Sequence, residues 1–64
     1  MNIKYAISLI TDTKLYFEIK EKASGASFGI HNTINTVNEN LLEKEVVSIN
    51  SQYVDGKRLL IIEF

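Results

Sequence analysis

The sequence predicts an α+β fold with the element order β-β-α-β-β, in which an antiparallel four-stranded sheet carries one short helix packed on one face. Three observations predict it. Residues 2–10 and 15–20 alternate apolar and polar side chains, as half-buried strands do. Residues 32–42 place apolar side chains at helical spacing. Residues 46–64 contain two apolar runs joined by Asp55-Gly56, which is a strong signal for a β-hairpin.

The first two predicted strands are expected to form a hairpin. In residues 2–10 the apolar side chains at odd positions share one face: Ile3, Tyr5, Ile7 and Leu9. In residues 15–20 the same alternation places Leu15, Phe17 and Ile19 on one face. Residues 11–14 are polar and favour a turn. We therefore expect the two apolar faces to meet across that turn.

The segment between the second strand and the helix is predicted to be a loop. Residues 21–31 follow neither period and are rich in Ser, Ala and Gly. Within this segment, Phe28 and Ile30 are spaced for a short extended piece.

A short helix is predicted from Asn32 onward. Its apolar stripe consists of Ile34, Val37 and Leu41, with Leu42 beside it. Asn32 or Thr33 is the expected N-cap, and residues 36–39 offer a second capping box. Because the segment contains several Asn residues, which form helices weakly, we expect this helix to depend on docking against the sheet.

The final hairpin is predicted in detail. A two-residue type I′ turn at Asp55-Gly56 pairs Val54 with Lys57 and continues to a pairing of Val47 with Phe64. Directly opposed residues share a face, so the expected core face is Val47, Ile49, Leu60, Ile62 and Phe64. The opposite face is mixed and leaves Leu59 and Ile61 without cover from a single helix.

Length and composition limit how the fold is stabilised. The 64 residues make one small α+β domain, residues 1–64. The chain has no Cys and one His, so disulfides and thiolate metal sites are excluded and no cofactor or metal ligand is predicted. Oligomerisation remains as a means of stabilisation. We therefore predict a homodimer whose interface includes Val46, Val54, Leu59 and Ile61.

The net charge is −1, and the sequence has no dense cluster of basic residues of the kind found in a typical nucleic-acid-binding protein. The longest apolar run, residues 59–62, is too short to span a bilayer. The N-terminal residues also lack the continuous apolar region of a signal peptide. A cytoplasmic protein without a membrane partner is expected.

The candidate ligand site is the loop rich in Gly and Ser. Its backbone N–H groups and hydroxyls, with nearby basic residues, are of the kind that bind anions, and the candidate residues are Lys22, Ser24, Gly25, Ser27, Gly29 and His31. The loop matches neither a P-loop nor a dinucleotide-binding motif. The alternative is a plain connector whose glycines supply turns. No catalytic set is predicted, because His31 has no orienting acid at a recognisable spacing.

The function predicted from these features is binding rather than catalysis. The leading hypothesis is a small, non-enzymatic, oligomeric binding protein that inhibits a host protein or sequesters a small ligand. Because Asn, Ile and Lys are abundant, we expect a phage or mobile element of an AT-rich bacterium as its source. The alternative is a protein that binds single-stranded nucleic acid or a nucleotide through the Gly/Ser loop and the lysines of the outer strands, with Tyr16 as a stacking platform.

Overall fold

The computed structural model describes residues 1–10 and 14–64. In these residues two short helices and four strands follow one another along the chain. They are α1 Ile3–Ser8, β1 Tyr16–Lys20, β2 Ser27–His31, a 3₁₀ turn at Ile34–Thr36, α2 Glu39–Leu42, β3 Ser48–Val54 and β4 Lys57–Glu63. The strands form one sheet in the order β2-β1-β4-β3. A small α+β fold is confirmed, but the all-antiparallel sheet is wrong because β1 and β4 are parallel.

The N-terminal segment is a helix and not the predicted strand. Its buried residues are Ile3, Ala6 and Ile7, which are spaced three and four apart, while Tyr5 on the predicted core face is exposed. Asn2 caps the helix, because its side-chain oxygen accepts a hydrogen bond from the backbone N–H of Tyr5 at 2.8 Å. The predicted first hairpin is therefore wrong, and residues 11–13 of its turn lie outside the described residues.

The second predicted strand is confirmed as β1. Phe17 and Ile19 are almost fully buried and belong to the core cluster with Ile3 and Ile7 of α1. Parallel pairing with β4 places Phe17 beside Leu60 and Ile19 beside Ile62. We call the face that carries Phe17 and Ile19 the inner face of the sheet, and the opposite face the outer face.

The predicted loop is shorter than expected, because Ser27–His31 forms β2 at one edge of the sheet. This confirms the extended piece at Phe28 and Ile30. The antiparallel register with β1 is irregular between Glu18 and Lys20, opposite the part of β2 that contains Gly29 with its φ of 100°. Such an irregularity is typical of a β-bulge, where glycine is favoured.

The predicted helix over residues 32–42 is divided in two. Thr33 caps the 3₁₀ turn, and Asn38 caps α2 by accepting a hydrogen bond from the backbone N–H of Asn40 at 2.9 Å. Asn32 is thus not the cap, and Asn38 rather than Thr36 begins the second helix. Val37 between the two pieces has an extended backbone and is buried. The side chain of Asn38 accepts a backbone N–H group that a continuous helix would bond to a carbonyl, which explains why the helix is interrupted at this residue.

The final hairpin is confirmed. Asp55 and Gly56 have φ angles of 52° and 76°, as a type I′ turn requires, and the ladder runs from Val54–Lys57 to Ser48–Glu63 as predicted. Val47 donates its backbone N–H to Glu63, so the predicted Val47–Phe64 pair lies beyond the ladder.

The predicted core face of this hairpin is correct only for β4. Ile62 is buried, and both Leu60 and Phe64 pack against the core cluster. Val47 and Ile49 are exposed, because the core cluster draws its sheet residues from β1 and β4 and none from β3.

On the outer face, Leu59 and Ile61 of β4 are only 8% and 6% exposed. They lie between neighbouring residues of β1 and β3 on the same face, since β4 is a central strand.

Candidate functional site

An open cleft of about 260 Å³ lies on the outer face, at the end of the sheet where the β3–β4 turn projects. Its apolar residues are Tyr16, Ile30, Val54 and Leu59, and its charged residues are Asp55, Lys57 and Arg58. We call these seven residues the outer cleft. Two other depressions of the described chain differ from it: the one beside Ile7 and Ile34 has no charged residue, and the one beside Tyr5 has Lys4 alone.

The sheet register brings the outer cleft together. Tyr16 at the start of β1 lies beside Leu59 of β4 in the parallel pair. Ile30 of β2 lies opposite Glu18 and therefore on the same outer face as Tyr16. Val54 closes the cleft from β3, next to the turn. Residues from all four strands of the described sheet thus meet at one end of it.

Burial in the outer cleft differs between its floor and its walls. Leu59 is buried and forms the floor, whereas Tyr16, Ile30 and Val54 are exposed large apolar side chains. Pockets that enclose drug-sized ligands usually have volumes of roughly 300–1,000 Å³, so an open cleft of about 260 Å³ is better suited to one or two side chains of a partner. An apolar patch with a charged rim is typical of a protein-binding surface.

Arg58 is held in place by Tyr53. Its guanidinium lies over the Tyr53 ring at 5.4 Å from the centroid, and its Nη2 donates a hydrogen bond to the Tyr53 hydroxyl at 3.0 Å. Both contacts reduce the conformational freedom of the arginine and hold its guanidinium with Tyr53 on the inner face. The charged side chains at the rim of the outer cleft are therefore Lys57 and Asp55.

The loop predicted to bind an anion uses its hydroxyls internally. Ser24 donates to the Glu21 carboxylate at 2.6 Å, and Ser27 donates to the Glu18 carboxylate at 2.5 Å. The hydroxyl oxygens also accept weak hydrogen bonds from the backbone N–H groups of Ala26 and Gly29. These two carboxylates, Glu18 on β1 and Glu21 in the loop, oppose the binding of a phosphate, since like charges repel. Gly25 supplies a turn with φ 74°.

His31 lies on the other face of the sheet from these serines. Its ring stacks on Phe17 with the centroids 5.8 Å apart. Nε2 is 3.2 Å from the Phe28 carbonyl, and Nδ1 is 2.8 Å from the Thr36 hydroxyl. A carbonyl only accepts, so the hydrogen bond to Phe28 requires a proton on Nε2. His31 therefore joins β2 to the 3₁₀ turn.

Of the other candidate loop residues, Lys22 contributes its backbone N–H to the carbonyl of Phe64 at 2.8 Å. Gly29 leaves room for the His31 ring, because a Cβ there would lie 3.2 Å from Nε2. Lys22, Ser24 and Gly25 thus lie in the connection between β1 and β2, whereas Ser27, Gly29 and His31 belong to β2, and anion binding by these residues stays a prediction. Among residues 1–10 and 14–64, no three His, Asp or Glu side chains are grouped to hold a metal ion.

The residues of the predicted dimer interface are also separated. Val54 and Leu59 line the outer cleft, and Ile61 is buried farther along β4. Val46 packs against the core cluster instead. The interface stays a prediction, although Leu59 and Ile61 are already shielded within one chain.

Ile30 is a residue of the outer cleft that the sequence did not identify. The signal that could have placed it on a strand, beside Tyr16, was the alternation of Phe28 with Ile30.

The described helices are all too short to cross a membrane. Comparisons with protein-family models, with curated proteins and with solved structures found no match for this chain.

Proposed function

We propose that the protein acts by binding another protein through the outer cleft, rather than by catalysis. The observation that carries this proposal is the set of exposed apolar side chains around a buried floor, with one cation, Lys57, and one carboxylate, Asp55, at the rim. Anchor side chains of protein interfaces insert into such depressions, while charged rims contribute to orientation and association rate.

The chemistry of the cleft defines the partner segment that it fits. The apolar walls accept one large aliphatic or aromatic side chain, and the volume of about 260 Å³ leaves little room for more. Lys57 favours a carboxylate next to that side chain, because an opposite charge near the surface steers association. Binding inhibits the partner if the bound segment is one that the partner needs for its own activity.

A displayed library of random peptides, selected against the folded protein, tests this proposal. We expect enrichment of peptides with an apolar anchor beside Asp or Glu. Ile30→Asp removes one wall of the cleft and introduces a charge, so the affinity of the selected peptides should fall roughly tenfold or more, equivalent to about 1.4 kcal/mol.

The matched control is Leu9→Asp on α1. Leu9 is 57% exposed and Ile30 is 59% exposed, so both substitutions place the same charge on a comparable apolar surface residue. Peptide affinity should be unchanged by Leu9→Asp. Equal losses for the two variants, or peptides indifferent to Ile30→Asp, would contradict the proposal.

A further inference from the structure

Strand β3 is an edge of the sheet without the usual protection against pairing with another chain. Its seven residues, Ser48–Val54, include no charged residue and no proline. All but Ser48 are exposed, and the register with β4 is continuous from one end to the other. Natural edge strands are commonly protected by charges, prolines, bulges or short length. The opposite edge, β2, has five residues and an irregular register, so it is protected and β3 is not.

The turn determines which backbone groups of β3 face outward. In a two-residue hairpin the residues that flank the turn, Val54 and Lys57, form a hydrogen-bonded pair, and bonded and non-bonded pairs then alternate along the ladder. The residues of β3 in non-bonded pairs are Ile49, Ser51 and Tyr53. Their N–H and C=O groups therefore face away from β4, toward the open edge.

These three residues are complementary to themselves. If a second β3 runs antiparallel with Ser51 opposite Ser51, Ile49 lies opposite Tyr53 on both sides of the twofold axis. Each of these pairs can exchange two hydrogen bonds, because all three residues present both groups outward. The side-chain pairs are also favourable, since aromatic and β-branched residues stabilise a sheet when directly opposed.

The exposure of the side chains points to the same register. Tyr53 and Ile49 are large apolar side chains that the core cluster leaves uncovered on the inner face, and Tyr53 is 70% exposed. The antiparallel register centred on Ser51 places them against each other. On the outer face it places Asn50 opposite Gln52, which joins two amides and no charges.

We propose that β3 pairs with β3 of a second copy of this chain, antiparallel and centred on Ser51, to form one continuous sheet. This interface is closed by twofold symmetry. It is distinct from the outer cleft, because the side chains at its centre lie on the inner face. The proposal therefore does not depend on partner binding at the cleft.

Charge substitutions at the twofold axis test the proposal. Ser51→Lys and Ser51→Glu each place like charges directly opposite each other, so each variant alone should dimerise at least roughly tenfold more weakly than the wild type. An equimolar mixture of the two variants should recover the dimer, because Lys then faces Glu. Ser51 is exposed, so both variants should fold, and circular dichroism is the check that they do.

Sedimentation velocity across a concentration series up to about 100 µM measures the monomer–dimer equilibrium of each sample. Leu9→Lys on α1 is the control and should dimerise like the wild type. A monomeric wild type, or a Ser51→Lys variant that dimerises as tightly as the wild type, would overturn the proposal. Amide exchange at Ile49, Ser51 and Tyr53 provides a second readout that needs no variant, since protection there should rise with protein concentration. Protection that does not change with concentration would also overturn it.

Discussion

Asp55 and Gly56 occupy the left-handed region at φ 52° and 76°, and Gly25 does so at φ 74°. Space is not the constraint at either glycine, because a Cβ would meet nothing within 4 Å. The cost of substitution is therefore conformational, and it is greatest for β-branched residues. At the scale of single residues, the β3–β4 turn was predictable because the Asp-Gly pair is specific for a type I′ turn. The left-handed conformation of Gly25 was not predictable, because no local pattern required a positive φ there.

Gly56→Val and Gly25→Val should each lower the free energy of unfolding by about 1–2 kcal/mol, since L-residues resist the left-handed region. Ala23→Val is the control, because Ala23 is exposed and lacks a positive φ. Urea denaturation of the three variants measures the effect. A loss at Gly56 alone would show that the backbone at Gly25 adapts.

Asn2 begins α1 and was not recognised as a cap, because the segment was interpreted as a strand. Asn2→Ala should destabilise the protein by about 1 kcal/mol, whereas Asn2→Asp should retain most of the stability, since Asp also caps. Asn32→Ala should have little effect, because Thr33 provides the cap there. Thermal unfolding of the three variants gives the comparison. An equal loss for Asn2→Ala and Asn2→Asp would contradict the role of the side-chain oxygen.

At the scale of elements, strands were more predictable than helices. The Asp-Gly hairpin and β1 carried strong local patterns, and both formed as expected. Residues 2–10 matched two patterns at once, since Ile3 and Ile7 fit both periods. Ala6 and Ile10 favour the helix, because with Ile3 and Ile7 they place apolar residues three and four positions apart. The burial of Ala6 agrees with this spacing. Leu59 and Ile61 of β4, which were expected to lack cover, are buried because β4 lies between β1 and β3 in the sheet.

A matched pair of substitutions in α1 separates helix from strand. In the helix, Ala6 is buried and Tyr5 is exposed, whereas the strand interpretation requires the reverse. Ala6→Lys should destabilise the protein by more than about 2 kcal/mol, because it places a charge in the core. Tyr5→Lys should change stability by less than about 0.5 kcal/mol. Guanidinium denaturation that finds the opposite order would contradict the helix.

At the scale of the whole molecule, the sequence predicts a binding protein but does not identify the surface proposed for binding. The outer cleft assembles residues from four strands, and its position depends on the parallel pairing of β1 with β4. That pairing joins segments about 40 residues apart, which local periodicity does not specify. The Gly/Ser loop had the clearer local signal, yet its hydroxyls are bonded to carboxylates of the same chain.

Nucleic-acid binding, the alternative function, gives a different whole-molecule prediction. An oligothymidine that binds through phosphate contacts should lose affinity steeply as salt rises. We expect no such binding, because the carboxylates of Glu18 and Glu21 are hydrogen-bonded to the serines of the loop that would hold the phosphates. Fluorescence anisotropy at low and high salt measures it. Salt-dependent binding that Lys22→Ala weakens would favour the alternative.

The most direct test of the central claim is to locate a bound peptide on the protein by NMR. Amide resonances of the wild type are followed during titration with a peptide selected from the displayed library. The account predicts that the largest shifts occur at Tyr16, Ile30, Val54 and Leu59, with Tyr5 and Leu9 of α1 unaffected. Shifts concentrated on α1, with the outer cleft unperturbed, would contradict it.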